Sequence, residues 1–127
     1  MKILVSEVTL ALAVKDFDAS RSFYEGLGFL LELDEWIGSG LIPRPFRRLR
    51  MSISGSAVFL EFLPECLGSA DVPLLTLTLS VEDVYRTEEY VRKFSGTSRF
   101  TADELPTGRV FTFADPGGNL IQICSLA

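Results

Sequence analysis

The sequence predicts an α+β fold in which a βαβββ module occurs twice, and three observations support it. Residues 9–16 (TLALAVKD) align without a gap with residues 76–83 (TLTLSVED), and five of the eight positions are identical. Both segments alternate aliphatic with small or polar residues, which is typical of a half-buried strand. Both end in aspartate, a residue that caps helix N-termini. The repeat, offset by 67 positions, therefore predicts a duplicated strand–helix unit.

The remaining elements are predicted from turn residues and alternation. In the first module a helix over 17–25 should end at Gly26 and Gly28. In the second, a helix over 84–94 should end at Gly96. Gly55-Ser56 and the segment 115–118 (DPGG) suit tight turns between strands. The predicted strands after the helices are 29–35, 49–54 and 57–63 in the first module, and 98–102, 109–114 and 119–126 in the second.

We expect residues 1–127 to form a single domain, with module 1 at about 1–66 and module 2 at about 73–127. Segment 36–45, rich in glycine and proline, should be a loop or lid. Each helix can cover only the aliphatic face of its strands. The opposite face, lined by threonine, serine and alanine, is therefore expected to line a concave ligand cleft.

Composition excludes several classes of function. The chain has no histidine, which excludes imidazole catalysis and histidine-containing metal sites. Its net charge of −5 argues against nucleic-acid binding. Cys66 and Cys124 form neither a disulfide framework nor a paired metal motif, which favours a reduced, cytoplasmic setting. The apolar start resembles a signal peptide, but Glu7 interrupts it, and no apolar run approaches the roughly 20 residues of a membrane span.

Four short motifs carry a family resemblance: residues 14–16 (VKD), 20–24 (SRSFY), 25–29 (EGLGF) and 113–121 (FADPGGNLI). In this order, over nearly the whole chain, they resemble the vicinal oxygen chelate superfamily of glyoxalases, bleomycin-resistance proteins and dioxygenases. The resemblance implies a curved mixed sheet around a concave cleft, with the helices on the outer face. That superfamily hosts several chemistries on one scaffold.

The resemblance also implies where a metal would be bound. Four strand positions supply the ligands in metal-dependent members, and here they correspond to Thr9, Glu61, Thr76 and Gln122. Two hydroxyls, one amide and one carboxylate are poor ligands for Zn²⁺, Ni²⁺ or Fe²⁺. We therefore expect no metal and no cofactor. What remains resembles the metal-free branch, whose dimeric proteins sequester planar antibiotics such as phenazines, and the run 108–111 (GRVF) fits a motif common there.

Each residue that we single out for a functional role also has a second interpretation without that role. Glu61 alternates with Phe59 and Leu63 and should point into the cleft, as a catalytic base or hydrogen-bond anchor, or else as a solvated carboxylate. Trp36 could stack on a flat ligand, or belong to a core or dimer interface; Phe46 is similarly ambiguous. The full set of predicted ligand-binding residues is Thr9, Trp36, Phe46, Glu61, Thr76, Thr78, Arg109 and Gln122.

Arg44, Arg47, Arg48 and Arg50 form a basic cluster in an otherwise acidic chain. They could hold an anionic group, pair with a second subunit, or lie in a solvated loop. We expect a homodimer that binds and sequesters a small planar or hydrophobic molecule, with no nucleic-acid or membrane partner. The alternatives are a glyoxalase-like lyase or isomerase using Glu61 with a weakly bound divalent metal, and an interaction module whose inner face is only a dimer interface.

Overall fold

A computed structural model describes residues 4–38, 46–53, 56–64 and 77–125, apart from the side chains of Ile37 and Phe46. The chain divides into two compact units, residues 1–70 (module 1) and 71–127 (module 2). In module 1 the elements are β1 (Val8–Val14), α1 (Phe17–Gly26), β2 (Leu30–Ile37), β3 (Phe46–Ser52) and β4 (Val58–Pro64). In module 2 they are β5 (Leu77–Val81), α2 (Val84–Lys93), β6 (Ser98–Leu105), β7 (Gly108–Ala114) and β8 (Leu120–Ser125).

The two sheets have the same topology. The strand order is β1-β4-β3-β2 in module 1 and β5-β8-β7-β6 in module 2. In each sheet the first and last strands of the module pair in parallel, and the other two pairings are antiparallel. The prediction of an α+β fold built from two βαβββ modules is therefore confirmed.

The strand register defines which residues are equivalent in the two modules. Glu61 pairs with Ala11 on one side and with Arg50 on the other. Gln122 pairs with Thr78 and Thr112 in the same way. Because Ala11 and Thr78 are related by the 67-residue repeat, Gln122 is the counterpart of Glu61, and Thr112 is the counterpart of Arg50.

The core of module 1 lies between α1 and one face of its sheet. Phe23 and Tyr24 on α1 are completely buried, and Tyr24 contacts the ring of Phe62 with a centroid separation of 5.2 Å. Asp16 begins the helix because its carboxylate accepts a hydrogen bond from the Ala19 amide at 3.0 Å. The other buried apolar side chains of this module are Leu12, Val14, Phe29, Leu49, Met51 and Leu60.

Module 2 repeats this arrangement with different side chains. Asp83 caps α2 by accepting from the Arg86 amide at 3.0 Å. Val84 and Val91 of α2 are buried. The buried apolar residues of its sheet are Phe111, Phe113, Ala114, Ile121 and Ile123. Each module therefore places a helix on one face of its sheet and leaves the alternate residues of every strand on the opposite face.

A buried aspartate closes the turn between β7 and β8. Asp115 is 1% exposed, and one carboxylate oxygen accepts hydrogen bonds from the amides of Gly117 and Asn119 at 2.9 and 2.8 Å. Gly118 has a φ of +87°, which an L side chain rarely adopts. The turn predicted from the sequence DPGG is thus built around the Asp115 carboxylate.

Some strand boundaries differ from the prediction. β3 begins at Phe46 rather than at residue 49, and β2 extends through Trp36 and Ile37, which pair with Arg47 and Phe46. β6 likewise extends to Leu105. Part of segment 36–45, predicted as a loop, is therefore strand, while residues 39–45 and Gly55 lie outside the described residues. Within the described ranges, neither helix is long and apolar enough to cross a membrane.

Candidate functional site

The sheet face of module 1 opposite α1 carries the predicted site residue Glu61. Side chains of directly paired residues project from the same face of a sheet. Leu12, Leu49 and Phe62 form one paired row that is buried toward α1. The neighbouring row, which contains Ala11, Glu61 and Arg50, therefore projects from the opposite face. Thr9 lies on this second face as well, two residues before Ala11.

Two arginines of β3 approach the Glu61 carboxylate. The Arg48 Nε lies 3.5 Å from Oε1, and the Arg50 Nη2 lies 3.6 Å from Oε2. The Glu61 side chain is only 16% exposed. Arg48 also lies 3.0 Å from Glu35, and Arg50 lies 3.8 Å from Glu7. We call the side chains of Glu7, Glu35, Arg48, Arg50 and Glu61 the Arg–Glu cluster. Its least exposed carboxylate, that of Glu61, lies beside both guanidinium groups.

Within the described residues, the hydrogen bonding of the Arg–Glu cluster is incomplete. Arg50 donates from Nη2 to the Thr9 hydroxyl at 3.3 Å, and its guanidinium lies 4.8 Å from the centre of the Phe59 ring. The Nε atoms of Arg48 and Arg50 are buried and make no well-formed hydrogen bond, although the Arg48 Nε lies 3.5 Å from Glu61 Oε1. Buried donors without an acceptor are costly. This face therefore holds two strong donors that the described part of the chain leaves unsatisfied.

On the equivalent face of module 2, the positions that correspond to Arg48, Arg50 and Glu61 are uncharged, whereas Asp103 corresponds to Glu35. The Thr78 hydroxyl donates to Gln122 Oε1 at 3.3 Å, and the Ser80 hydroxyl lies 3.6 Å from the Cys124 sulfur. Cys124 is partly buried in β8. The register in the two sheets makes Val110 and Thr112 of β7 the counterparts of Arg48 and Arg50. The duplicated face has thus diverged from arginine and glutamate in module 1 to hydroxyl, thiol and amide groups in module 2.

Arg109 lies on the other face of module 2, beside α2. Its guanidinium donates to Glu88 Oε1 at 2.6 Å and Oε2 at 3.1 Å, and to Glu104 at 2.7 Å. These hydrogen bonds hold the pKa of both carboxyls below the ordinary value. Tyr85 donates to Glu104 at 3.1 Å, which raises the pKa of its phenol. The predicted ligand residue Arg109 is therefore engaged in joining α2, β6 and β7.

A glycine makes the turn into Arg109. Gly108 has a φ of +127°, and a Cβ at this position would lie 2.8 Å from the Ser125 hydroxyl oxygen. The left-handed backbone conformation favours glycine, and a larger residue would also displace the Ser125 hydroxyl. The Gly-Arg pair of the sequence motif thus has a local structural explanation.

Trp36 lies on the α1 side of module 1, not on the face of Glu61. It pairs directly with Arg47, which donates to Asp18 of α1 at 3.2 Å and to Asp34 at 2.8 and 2.9 Å. Trp36 is 71% exposed, so within the described part of the chain it is not a core residue. An exposed indole on this side of the sheet remains available for contact with another molecule.

In each module the structure brings two of the predicted residues onto the sheet face opposite the helix. Thr9 and Glu61 share the face of module 1 opposite α1, and Thr78 bonds to Gln122 on the corresponding face of module 2. Trp36 and Arg109 lie on the helix sides. Thr76 lies outside the described residues, and of Phe46 only the backbone is described.

Sequence reasoning missed Arg48 and Arg50 as partners of Glu61. The basic cluster is not a loop: Arg47, Arg48 and Arg50 belong to β3, whereas Arg44 lies outside the described residues. Residues 47–50 read RRLR, and Leu49 faces the core. Alternation around Leu49 was the signal that could have placed Arg48 and Arg50 on the opposite face.

The residues around Glu61 do not suit the divalent metal that metal-dependent relatives of this fold would hold. A cation bound to the Glu61 carboxylate would stand beside the guanidinium groups of Arg48 and Arg50, which already lie at 3.5 and 3.6 Å. Repulsion between like charges at such distances opposes binding. Among the described residues no group of three or more cysteine, aspartate or glutamate side chains could hold a metal ion.

Comparison with solved structures supports the same fold over the whole chain. The antibiotic-binding protein TnmS3 from Streptomyces sp. CB03234 is 22% identical, with a TM-score of 0.70, covering 99% of this chain and 100% of that one. A glyoxalase family protein from Bacillus cereus is 17% identical, with a TM-score of 0.73 and coverage of 98% and 95%. A glyoxalase-related enzyme from Fulvimarina pelagi is 20% identical, with a TM-score of 0.67 and coverage of 97% and 89%.

The class of protein follows from the duplicated βαβββ module and from a match to a family model. The model of the Glyoxalase/Bleomycin resistance protein/Dioxygenase superfamily matches residues 8–123. The chain belongs to this superfamily, as its sequence motifs predicted. No curated protein matches it.

Proposed function

We propose that this protein binds and sequesters a small planar or hydrophobic organic molecule, without a metal ion. The observation that carries the proposal is the sheet face opposite each helix, which bears hydrogen-bonding side chains that do not serve the helix–sheet core. In module 1 these are Thr9, Glu61 and its two arginines; in module 2 they are Thr78 and Gln122. Polar groups on a sheet face can fix the orientation of a ligand whose apolar body provides the affinity.

An antibiotic is the class of ligand that we propose first. TnmS3, which shares the fold at 22% identity, is an antibiotic-binding protein. The superfamily description includes bleomycin resistance beside glyoxalases and dioxygenases. Fold alone does not determine function, so the argument for binding depends on the chemistry of the two faces.

The competing function is a lyase or isomerase reaction with Glu61 as the base and a weakly bound Mg²⁺ or Mn²⁺. Such a base must contact the substrate proton directly, and a metal ligand must face an available coordination site. Here Arg48 and Arg50 occupy the space beside the carboxylate at 3.5 and 3.6 Å. This contact favours binding over metal-assisted catalysis.

We also propose that the protein acts as a cytoplasmic homodimer. The support is a set of large apolar side chains that are exposed within the described part of the chain. In module 1 the most exposed strand residue of this kind is Trp36, at 71%. Exposed apolar side chains mark a protein interface where they form a contiguous patch. Analytical ultracentrifugation tests this part of the proposal, because a monomer at all concentrations contradicts it.

Binding is tested by a thermal-shift screen of planar antibiotics in EDTA, followed by calorimetry. A ligand at about 100 times its Kd should stabilise the protein by about 2.7 kcal/mol, a rise in Tm of about 10 °C. Thr78→Val combined with Gln122→Leu should reduce this rise, whereas Thr107→Val, at an exposed turn position, should not.

Two results would contradict the proposed function. The first is a screen in which no compound shifts Tm or is bound in calorimetry. The second is a stoichiometric divalent metal in the purified protein whose removal abolishes binding, because the proposal requires ligand binding in EDTA.

A further inference from the structure

One row of paired residues crosses the whole sheet of module 2 and carries only uncharged hydrogen-bonding side chains. The register places them side by side on β5, β8, β7 and β6, and we call them the Thr–Gln row: Thr78, Gln122, Thr112 and Thr101. Thr112 lies between Phe111 and Phe113, which are completely buried on the side of α2, so the row projects from the opposite face. The corresponding row of module 1 begins with Ala11 and ends with Leu33. A sheet of this topology therefore forms without such a row.

The hydrogen bonding inside the Thr–Gln row leaves donors available. The Thr78 hydroxyl donates to Gln122 Oε1 at 3.3 Å, which leaves the two N–H groups of the Gln122 amide. In the described part of the chain, neither this amide nitrogen nor the Thr112 hydroxyl has a hydrogen-bond partner, and neither is among the buried polar atoms that lack one. Gln122 and Thr112 are both half-buried. Their donors are therefore open to a molecule that lies on this face.

Apolar side chains flank these two donors. Leu120 precedes Gln122 by two residues on β8, and Val110 precedes Thr112 by two residues on β7. Residues two apart on a strand share a face, and because β7 and β8 are antiparallel, Leu120 and Val110 lie on opposite sides of the row. Both are half-buried. A flat apolar molecule across the row therefore contacts hydrocarbon at its two ends and hydrogen-bond donors at its middle.

The charges on this face favour a neutral ligand. The Thr–Gln row is uncharged, and the neighbouring row contains one carboxylate among its four members, which are Ser80, Cys124, Val110 and Asp103. An anion would meet repulsion from Asp103 and would find no cation in either row. A carbonyl oxygen, in contrast, accepts from an amide or a hydroxyl without adding charge.

We infer that Gln122 and Thr112 donate to a neutral carbonyl oxygen and thereby select a planar ring ketone or quinone as the ligand. This inference rests on the proposed function and specifies the chemistry of its ligand. Gln122 and Thr112 pair directly, which places their Cβ atoms about 5 Å apart, so one oxygen between them accepts from both. Thr78 is a positioning residue, because its hydroxyl occupies the Gln122 oxygen and turns the amide nitrogen toward the ligand. Thr112 is a specificity-determining residue that sequence reasoning did not single out.

Four rigid tricyclic probes test the inference by isothermal titration calorimetry and equilibrium dialysis. Fluorene has no polar group, 9-fluorenone adds a carbonyl acceptor, carbazole carries an N–H donor instead, and fluorene-9-carboxylate adds an anion. We expect fluorenone to bind about fivefold more tightly than fluorene, which is in the range for neutral hydrogen bonds. Carbazole should bind less tightly than fluorenone, because the Gln122 amide nitrogen only donates. The carboxylate should also bind less tightly than fluorenone.

Substitutions locate the effect, and the readout is the ratio of two affinities, in which a general loss of binding cancels. Gln122→Met and Thr112→Val keep the size of the side chain and should each reduce the preference for fluorenone over fluorene to about twofold or less. Thr112→Ser keeps the hydroxyl and should keep the preference. Thr107→Val is the matched control, since Thr107 lies at an exposed turn position, and it should not change the ratio.

The role of Thr78 has its own signature. Thr78→Val frees the Gln122 oxygen, so the amide can turn and accept from a ligand. This variant should bind carbazole about threefold more tightly than the unmodified protein does, whereas the loss of a merely structural hydroxyl would not improve binding of any probe. Gln122, Thr112 and Thr78 lie on three different strands, so each substitution still tests the inference if another variant fails to fold.

The outcomes separate this inference from the proposed function. Equal binding of fluorene and fluorenone, or a preference that survives both Gln122→Met and Thr112→Val, overturns the inference and leaves ligand binding as such intact. Carbazole or the carboxylate binding more tightly than fluorenone to the unmodified protein also overturns it. If none of the four probes binds, the inference fails, and the proposed function fails with it only if the antibiotic screen gives no ligand either.

Discussion

Arg47 and Arg109 occupy equivalent positions in the two modules, and each joins the helix of its module to the edge strand. Arg47 bonds to Asp18 of α1 and Asp34 of β2, and Arg109 bonds to Glu88 of α2 and Glu104 of β6. Each guanidinium also lies near an aromatic ring at the start of its helix, Phe17 or Tyr85, at 5.5 and 5.4 Å. In both modules an arginine therefore bonds to one carboxylate on the helix and one on the edge strand, although the acidic residues are aspartates in module 1 and glutamates in module 2.

Arg47→Lys should lower the free energy of unfolding by about 1 kcal/mol, because lysine cannot reproduce the two-pronged contact with Asp34. Urea unfolding followed by circular dichroism measures the change. Lys93→Arg, at an exposed helix position, is a control expected to have no effect. Unchanged stability of Arg47→Lys would show that the contact with Asp34 contributes nothing measurable.

Acid should destabilise the protein through these same bridges. Hydrogen bonds from Arg47 and Arg109 hold the pKa of Asp34 and of Glu88 below their ordinary values of 3.8 and 4.5. The unfolded chain therefore takes up protons first as the pH falls. The stabilisation is complete above those values and is lost as the pH falls through them toward the lower folded-state pKa values.

Urea unfolding at a series of pH values from about 7 to 3 measures this loss. Asp34→Asn and Glu88→Gln should each flatten the dependence on pH, whereas Glu25→Gln, at an exposed position of α1, should leave it unchanged. A pH dependence that is the same in all three variants would contradict the assignment.

The N-terminal caps of α1 and α2, Asp16 and Asp83, should contribute about equally to the stability of the protein. Asp16→Ala and Asp83→Ala should each reduce stability by about 1 kcal/mol, because the amides of Ala19 and Arg86 lose their acceptors. Asparagine at either position should recover most of the loss. Chemical denaturation of the four variants checks this, and no rescue by asparagine would mean that the cap hydrogen bond is not the cause.

The turn at Asp115 should be the more sensitive position. Asp115→Ala leaves the amides of Gly117 and Asn119 without their acceptor in a buried turn, which should cost about 2–3 kcal/mol. Asp115→Asn keeps one acceptor oxygen and should cost less. Thermal unfolding of both variants measures the difference, and equal losses would show that burial of the side chain, not its hydrogen bonds, dominates.

The fluorescence of Trp36 reports on the proposed dimer. The indole is 71% exposed within the described chain, so at low protein concentration its emission should be that of a solvated indole and quenchable by iodide. If the dimer covers this side of β2, emission should shift to the blue as concentration rises. Sedimentation that shows dimers without any change in Trp36 emission would place the interface elsewhere.

The sequence predicted the fold well because the repeat and the alternating strands are local signals. Asp16 and Asp83 marked both helix starts correctly. The beginning of β3 was missed because Arg47 and Arg48 hide the apolar alternation that usually marks a strand. The partners of Glu61 were missed for a different reason: Arg48 and Arg50 lie on the adjacent strand β3, and cross-strand register cannot be read from neighbouring residues alone.

The equivalence of Glu61 and Gln122 bears on how such a protein changes during evolution. A duplicated gene gives two copies of one helix–sheet core, and here Arg47 and Arg109 still perform the same task in both. The opposite faces differ in charge at matched positions. Substitutions on one face of one copy can therefore alter what is bound while the other copy and both cores keep the chain folded, so that new binding specificity can arise without loss of the scaffold.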